Sequence, residues 1–289
     1  MAKELFTGAC TALVTPFLHG QVNYPMAEQL LARQIAAGIR AVVVAGTTGE
    51  SPTLSDREKI ELFARCKDYA GDTCKIIAGT GSNDTDHAIK LSIAAEKAGA
   101  DALLIVTPYY NKATPSGLIA HYSAIAANVS IPIILYNVPS RTGVDVPVAV
   151  YKQLSQIPKI AGVKEASADI TKILRIRQAC GPDFSVWSGN DDQIVAAIAN
   201  GASGVISVLS NLYPEETDLM CTEALTGNLS AAAALQRHFL PLIDLLFCEV
   251  NPIPVKIAMK CIGYDCGECR LPLCEPTKEH LEQIAAYFA

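Results

Sequence analysis

The chain has 289 residues, half of them hydrophobic, and a formal net charge of −6. That is enough apolar material for one large core, and an acidic chain without a basic run argues against a nucleic-acid or anionic-membrane surface, which needs clustered Lys and Arg. The start, MAKELFTGACTALVTPF, lacks the basic region, apolar stretch and small-residue cleavage site of a secretory leader. No apolar run approaches the roughly 20 residues that span a bilayer, so the expected location is cytoplasmic.

From the N-terminus onward, short apolar runs alternate with helical stretches. Predicted strands cover residues 9–14, 41–45, 75–78, 102–106, 131–136, 160–164, 184–187 and 204–208. Their nearly unbroken Val, Ile and Leu content is that of parallel strands covered on both faces. Ser55-Asp56-Arg57-Glu58 is a capping box, in which the serine oxygen accepts an orphan N–H and Glu58 reaches back. After Asn83, the residues Ala88, Leu91, Ala95 and Ala98 share one helical face, and Gly99 marks the stop. Strands and helices in this alternation predict an α/β fold closed into a (β/α)8 TIM barrel. An open doubly wound sheet would carry a glycine fingerprint after its first strand, and VTPFLHGQ has none. Beyond Pro214 only helical patterns follow, and the barrel needs just one more helix. Residues 1–225 are therefore assigned to the barrel and 226–289 to a C-terminal helical extension packed on it, with Pro252 and Pro254 opening one of its helices.

Six cysteines, Cys10, Cys66, Cys74, Cys180, Cys221 and Cys248, stand singly in apolar segments and read as reduced core thiols. The segment CIGYDCGECRLPLC is different, because Cys261, Cys266, Cys269 and Cys274 crowd together. Thiolates at such spacing are candidate ligands for zinc or an iron–sulfur cluster. Against this, paired Cys-x-x-Cys knuckles are absent and Pro272 restricts the last approach, so incidental thiols are the weightier reading.

In a barrel of this kind the chemistry sits at the C-terminal strand ends. There the chain places GTTGES after the second predicted strand, TPYYN after the fourth, YNVPSRTG after the fifth and SGND after the seventh. The sixth ends in AGVKEAS, where a lysine closes an apolar run. Its amine is either a stem reaching for water or a nucleophile kept in a dry pocket. Each of the other residues also has an ordinary reading. Tyrosines pack at barrel mouths, a glycine-flanked threonine pair makes a turn, and Arg141 could be half of a surface ion pair. In combination they fit an imine-forming site. Burial disfavours a charged amine and makes the neutral nucleophile accessible to a keto acid, and the resulting imine loses a proton to become an enamine. Tyrosine hydroxyls with a threonine between them can move that proton, while backbone N–H groups of the Thr47–Thr48 turn and a buried Arg141 fork can anchor carboxylates. No His-Glu-x-x-His and no Gly-x-x-x-x-Gly-Lys occurs, and His19, His87, His121, His238 and His280 form no compact ligand set.

Six segments in order, GTTGESPTLS, TPYYNK, YNVPSRTG, GVKEAS, SGNDD and NPIPVK, resemble the dihydrodipicolinate synthase branch of the pyruvate-dependent class I aldolases over nearly the whole chain. The resemblance implies that Lys164 forms a Schiff base with pyruvate. It also implies that Tyr136 acts in proton transfer through a relay with Thr48 and Tyr110, the last entering from a neighbouring subunit of a dimer or, commonly, a homotetramer. Thr47 and Thr48 would hold the pyruvate carboxylate, Gly189 and Ile206 would line the pocket, and Arg141 would bind the carboxylate of aspartate semialdehyde. The product would be 4-hydroxy-tetrahydrodipicolinate, a precursor of diaminopimelate and lysine, made without metal or organic cofactor.

Two alternatives remain at this level. Sugar-acid aldolases, acting on N-acetylneuraminate or 2-keto-3-deoxygluconate, share the lysine and tyrosine but generally lack Ser-Arg-Thr-Gly, since their aldehyde has no equivalent carboxylate. A non-catalytic keto-acid-binding barrel would have no use for a proton relay. Some members of the resembled family are inhibited by lysine at the dimer interface, where Ser51, Asn83 and Tyr109 match. His87 stands where those members carry a glutamate, and Asp56 and Lys59 replace histidines, so weak inhibition is expected.

Overall fold

The computed structural model describes residues 5–289. Each of the eight predicted strands is present, with ends shifted by two residues at most. They are β1 (Gly8–Ala12), β2 (Ala41–Val44), β3 (Lys75–Gly79), β4 (Ala102–Val106), β5 (Ile133–Asn137), β6 (Ile160–Glu165), β7 (Ser185–Ser188) and β8 (Gly204–Ser207). All pairings among them are parallel, and β1 bonds both β2 and β8, so the sheet closes into a barrel. Continuous apolar runs are thus buried on two sides, against the lumen and against the helices.

The helices α1 (Tyr24–Ala36), α2 (Asp56–Ala70), α3 (Thr85–Lys97), α4 (Pro115–Asn128), α5 (Val148–Leu154), α6 (Ile170–Cys180), α7 (Ile194–Ala199) and α8 (Pro214–Leu225) alternate with the strands. The capping box before α2 is formed, with Ser55 accepting from the Glu58 N–H and Glu58 from the Ser55 N–H. Asp84 caps α3, which buries Ala88, Leu91 and Ala95 and ends just before Gly99. One feature was not legible in the sequence: Phe17–Leu18 and Gln21–Val22 pair as a minimal hairpin, too short to show any periodicity.

Inside the lumen, Phe6 and Trp187 stack with ring centroids 4.7 Å apart, and the indole N–H donates to the Phe6 carbonyl. Gly162 makes room for them, since a Cβ there would lie 2.1 Å from the Ser185 carbonyl oxygen and 2.9 Å from the indole ring. Tyr136 and Ile206 belong to the same luminal cluster.

After α8 the chain continues as α9 (Leu229–Leu246), α10 (Ile253–Cys261) and α11 (Lys278–Tyr287). Helix α9 turns Phe239, Leu242, Ile243 and Leu246 inward. The segment after α10 is pinned to the barrel by charge. Lys256 bonds Glu50 at 2.7 Å, and Arg270 forks onto Glu58 while its backbone N–H donates to Glu50. Among the described residues, no helix is long and apolar enough to cross a membrane.

The four-cysteine metal candidate is not supported by this geometry. Cys266 is buried, Cys269 is half-buried, and Cys261 and Cys274 face solvent. No group of three or more His, Cys, Asp or Glu is arranged to hold a metal ion among the described residues. Burial pushes the Cys266 and Cys269 thiols up to about 12, which disfavours the thiolate that a metal needs. Spacing in sequence brought these cysteines near one another, but the chain turns one of them into the core and two outward.

Candidate active site

Strand alternation decides the environment of Lys164. Successive side chains on β6 point to opposite faces, so Lys164 enters the lumen while Glu165 points into the helical layer. There Glu165 is fully engaged: it accepts from Asn137 Nδ2 at 2.8 Å, the Ser167 N–H at 2.9 Å and the Tyr151 hydroxyl at 3.1 Å, with Lys172 at 3.5 Å. The acid next in sequence therefore does not neutralise the Lys164 amine. Lys164 is 5% exposed, and its Nζ lies 4.5 Å from the centroid of the Tyr136 ring, the register partner on β5. Among the described residues no hydrogen bond or ion pair reaches that amine. Gly189 provides the space, because a Cβ there would stand 3.0 Å from the Lys164 Cε and 2.6 Å from the Ala166 Cβ. An amine that no carboxylate holds by a hydrogen bond or close ion pair is open to attack a carbonyl.

The β2 end supplies the next wall. Ala45 and Glu50 both have left-handed backbone, at φ 52° and 55°, and between them the chain folds into the Gly46–Gly49 turn. Thr48 is buried and Thr47 half-buried. The Thr48 hydroxyl accepts from Asn251 Nδ2 at 3.0 Å, and the Asn251 carbonyl accepts from Arg141 Nη2 at 3.2 Å. Asn251, just ahead of α10, thus joins two predicted site residues, and its Oδ1 is buried without a partner. The sequence showed Asn251 only as part of a helix opening. No local pattern could reveal a contact that spans 203 residues.

Arg141 departs from expectation in one respect. It is exposed, not buried, because the short helix Pro139–Thr142 lifts it to the barrel mouth. It still lines a cavity of about 420 Å³ together with Thr47 and Tyr136. Tyr136 is itself held by its backbone, whose carbonyl accepts from the Thr107 N–H and hydroxyl. Ile206 is fully buried in the luminal cluster that contains Tyr136. The fold therefore gathers Lys164, Tyr136, Thr47, Thr48, Arg141, Gly189 and Ile206 at one end of the barrel. Tyr110 is not gathered: it is 91% exposed, on a loop where its own φ is 73°, a strained value for a bulky residue.

Residues 5–288 match the model of the dihydrodipicolinate synthetase family. The chain belongs to that family. It is 45% identical over 282 residues to a 4-hydroxy-tetrahydrodipicolinate synthase of Acetivibrio thermocellus, covering 98% of this chain and 96% of the relative. Among solved structures, the dihydrodipicolinate synthase from Aquifex aeolicus superposes with a TM-score of 0.96 at 40% identity, covering 98% of this chain and 97% of that one. The chloride-inhibited dihydrodipicolinate synthase from Acinetobacter baumannii, complexed with pyruvate, superposes with a TM-score of 0.95 at 40% identity, covering 97% of each chain.

Within this family's barrel, the supporting layer around Glu165 also escaped the sequence reading. Asn137 donates to both Glu165 and Asp145 at 2.8 Å, and Lys172 pairs with Asp145, so a polar network that is buried except at the exposed Asp145 backs the two strands that carry Tyr136 and Lys164. The only local hint is the Lys-Glu pair itself, since alternation requires one of the two to face outward.

Proposed function

We propose that this chain condenses pyruvate with aspartate semialdehyde to 4-hydroxy-tetrahydrodipicolinate, with Lys164 as the nucleophile. The Lys164 amine adds to the keto carbon of pyruvate and water leaves, giving an imine. Loss of a methyl proton gives the enamine, whose carbon adds to the aldehyde. The amino group of the second substrate then attacks the imine carbon, closes the ring and releases Lys164. The observation that carries this reading is the Lys164 amine, buried against the Tyr136 ring without a carboxylate partner.

The roles of the other groups follow from their chemistry. The Thr47–Thr48 turn offers hydroxyl and N–H donors for the pyruvate carboxylate, and Arg141 at the mouth offers a guanidinium to the carboxylate of the incoming aldehyde. The Tyr136 hydroxyl moves the proton with Thr48. Tyr110, turned fully outward, completes the relay of a neighbouring subunit, so the active assembly is at least a dimer and, by the family resemblance, a homotetramer. As a biosynthetic enzyme it works in the cytoplasm.

Borohydride reduction in the presence of pyruvate, followed by peptide mass analysis, tests the central step. The expected adduct lies on Lys164 alone, and an adduct elsewhere, or none, overturns the assignment. A coupled assay with aspartate semialdehyde, repeated with Arg141→Ala, is expected to show a raised KM for the aldehyde and little change in that for pyruvate.

A further inference from the structure

Cys261, Cys266, Cys269 and Cys274 do not make a metal centre, but two of them stand in a relation of their own. The Leu273 N–H donates to the Arg270 carbonyl at 3.1 Å, which closes a turn over residues 270–273. Cys269 and Cys274 are the residues immediately outside that closing bond, one on each arm of the turn. In a chain that doubles back this way, the pair next beyond the closing bond lies face to face, with Cα atoms about 4.5 Å apart in a regular hairpin. A disulfide spans Cα separations of about 4.4–6.8 Å.

The surroundings of the two sulfurs agree with that pairing. Both residues line one cavity of about 870 Å³ between the hairpin of residues 17–22 and α10, and neither Cys261 nor Cys266 lines it. Both are free thiols, Cys274 exposed and Cys269 half-buried. Burial first, then the Glu50 charge and more weakly Cys274, hold the Cys269 thiol protonated, so the two sulfurs are within electrostatic range of one another. Cys274 is therefore the sulfur that meets a reagent from solvent, with Cys269 waiting beside it. Arg270, on the near arm, forks onto Glu58 and donates its N–H to Glu50. The turn that the two cysteines flank is thus the point where the segment after α10 is fastened to the barrel.

We propose that Cys269 and Cys274 are a modification site: a dithiol that low-molecular-weight disulfides oxidise reversibly to an intrachain disulfide across the 270–273 turn. The Cys274 sulfur attacks one sulfur of the small disulfide, and one small thiol leaves. The Cys269 sulfur then attacks Cys274 in the mixed disulfide, and the second small thiol leaves. The two protein thiols have given up two hydrogens, and the reagent has become two thiols. Under reducing conditions both cysteines stay free. Under oxidising conditions the new bond closes over Arg270 and secures the C-terminal segment on Glu50 and Glu58.

The test incubates the folded full chain with glutathione disulfide, without pyruvate, so its outcome does not depend on the imine chemistry. Remaining thiols are alkylated, and the unreduced chain is cut with trypsin. Cleavage after Lys260, Arg270 and Lys278 puts Cys269 and Cys274 in different peptides, so their bond appears as a linked pair in the mass spectrum. That pair is expected, joined through Cys269 and abolished by dithiothreitol. Cys269→Ser is expected to stop at a glutathione adduct on Cys274, and Cys274→Ser to leave Cys269 unmodified over the same time. Oxidation is expected to raise the thermal midpoint of the parent by a few degrees and to leave that of Cys274→Ser unchanged. No linked pair, or Cys274 joined mainly to Cys261 or Cys266, overturns the proposal. A bond that forms without raising the midpoint overturns the fastening role. Should Cys269→Ser not fold, Cys274→Ser at its exposed position decides: loss of the linked pair supports the site, and Cys269 oxidised as fast as in the parent overturns it.

Discussion

Lys164 at the end of β6 and Lys256 in α10 are almost equally buried, yet their surroundings are opposite. The Lys256 amine bonds Glu50 at 2.7 Å and the Glu268 carbonyl at 3.2 Å, and rests 4.4 Å from the centroid of the Phe17 ring. Lys164 has an aromatic face at a similar distance, 4.5 Å, and no oxygen partner among the described residues. One ammonium is consumed in fastening the C-terminal segment to the β2 loop, and the other is kept available. Burial alone therefore does not distinguish a nucleophile from a structural cation. The distinction lies in which carboxylates the fold turns toward the amine. On β6 the neighbouring Glu165 is turned away by alternation, whereas Glu50 is turned inward by its left-handed backbone at φ 55°.

Substitution should separate the two regions. Lys164→Met is expected to lower kcat by at least ~10³-fold and to abolish borohydride trapping, while leaving the unfolding midpoint near that of the parent. Comparable turnover in this variant would erase the contrast. Lys256→Met should do the reverse. It strands the buried Glu50 carboxylate and is expected to cost about 3–5 kcal/mol in denaturant unfolding, while pyruvate is still trapped on Lys164 in the folded fraction.

Thr48→Val probes the junction between the regions, because its hydroxyl is held by Asn251 from the extension. A fall in kcat of about 10²-fold is expected, with imine formation retained; a loss seen only in stability would make Thr48 a fastening residue. The smallest effect belongs to Glu58→Gln. Its hydrogen bonds from Arg270, above all, hold the Glu58 carboxyl down to about 2. Since the folded state binds this proton less readily than the unfolded chain, the carboxylate's stabilisation is complete above about pH 4.5 and is lost as pH falls toward 2. Urea unfolding at a series of pH values should show that acid-dependent loss in the parent and a shallower one in Glu58→Gln, with about 1–2 kcal/mol between them near neutrality.

Much of the molecule was legible in its sequence. Eight apolar runs, the Ser55–Glu58 capping box and the Gly99 stop rest on local physics: side-chain periodicity, orphan N–H groups and backbone freedom, all within a few residues of chain. The motifs at the strand ends placed Lys164, Tyr136, Thr47 and Thr48 on one rim because a parallel barrel puts all its C-terminal strand ends on one side. What the sequence left open has a physical reason too. Cys261, Cys266, Cys269 and Cys274 are close in sequence, but nothing in their spacing says that one of them packs inward beneath the Phe17 N–H, which donates to the Cys266 carbonyl. Arg141 was expected inside, and a four-residue helix carries it to the surface.

What the sequence determined by itself was the alternation of strands and helices and the residue types at the barrel mouth, because both follow from interactions between near neighbours. Pairing of charges was decided only by the tertiary structure. Whether an amine meets an acid depends on segments up to about two hundred residues apart, as with Glu50 and Lys256, which are 206 apart in the chain. In a medium that solvates charge poorly, that meeting sets whether the lysine is spent on the fold or left for a ligand.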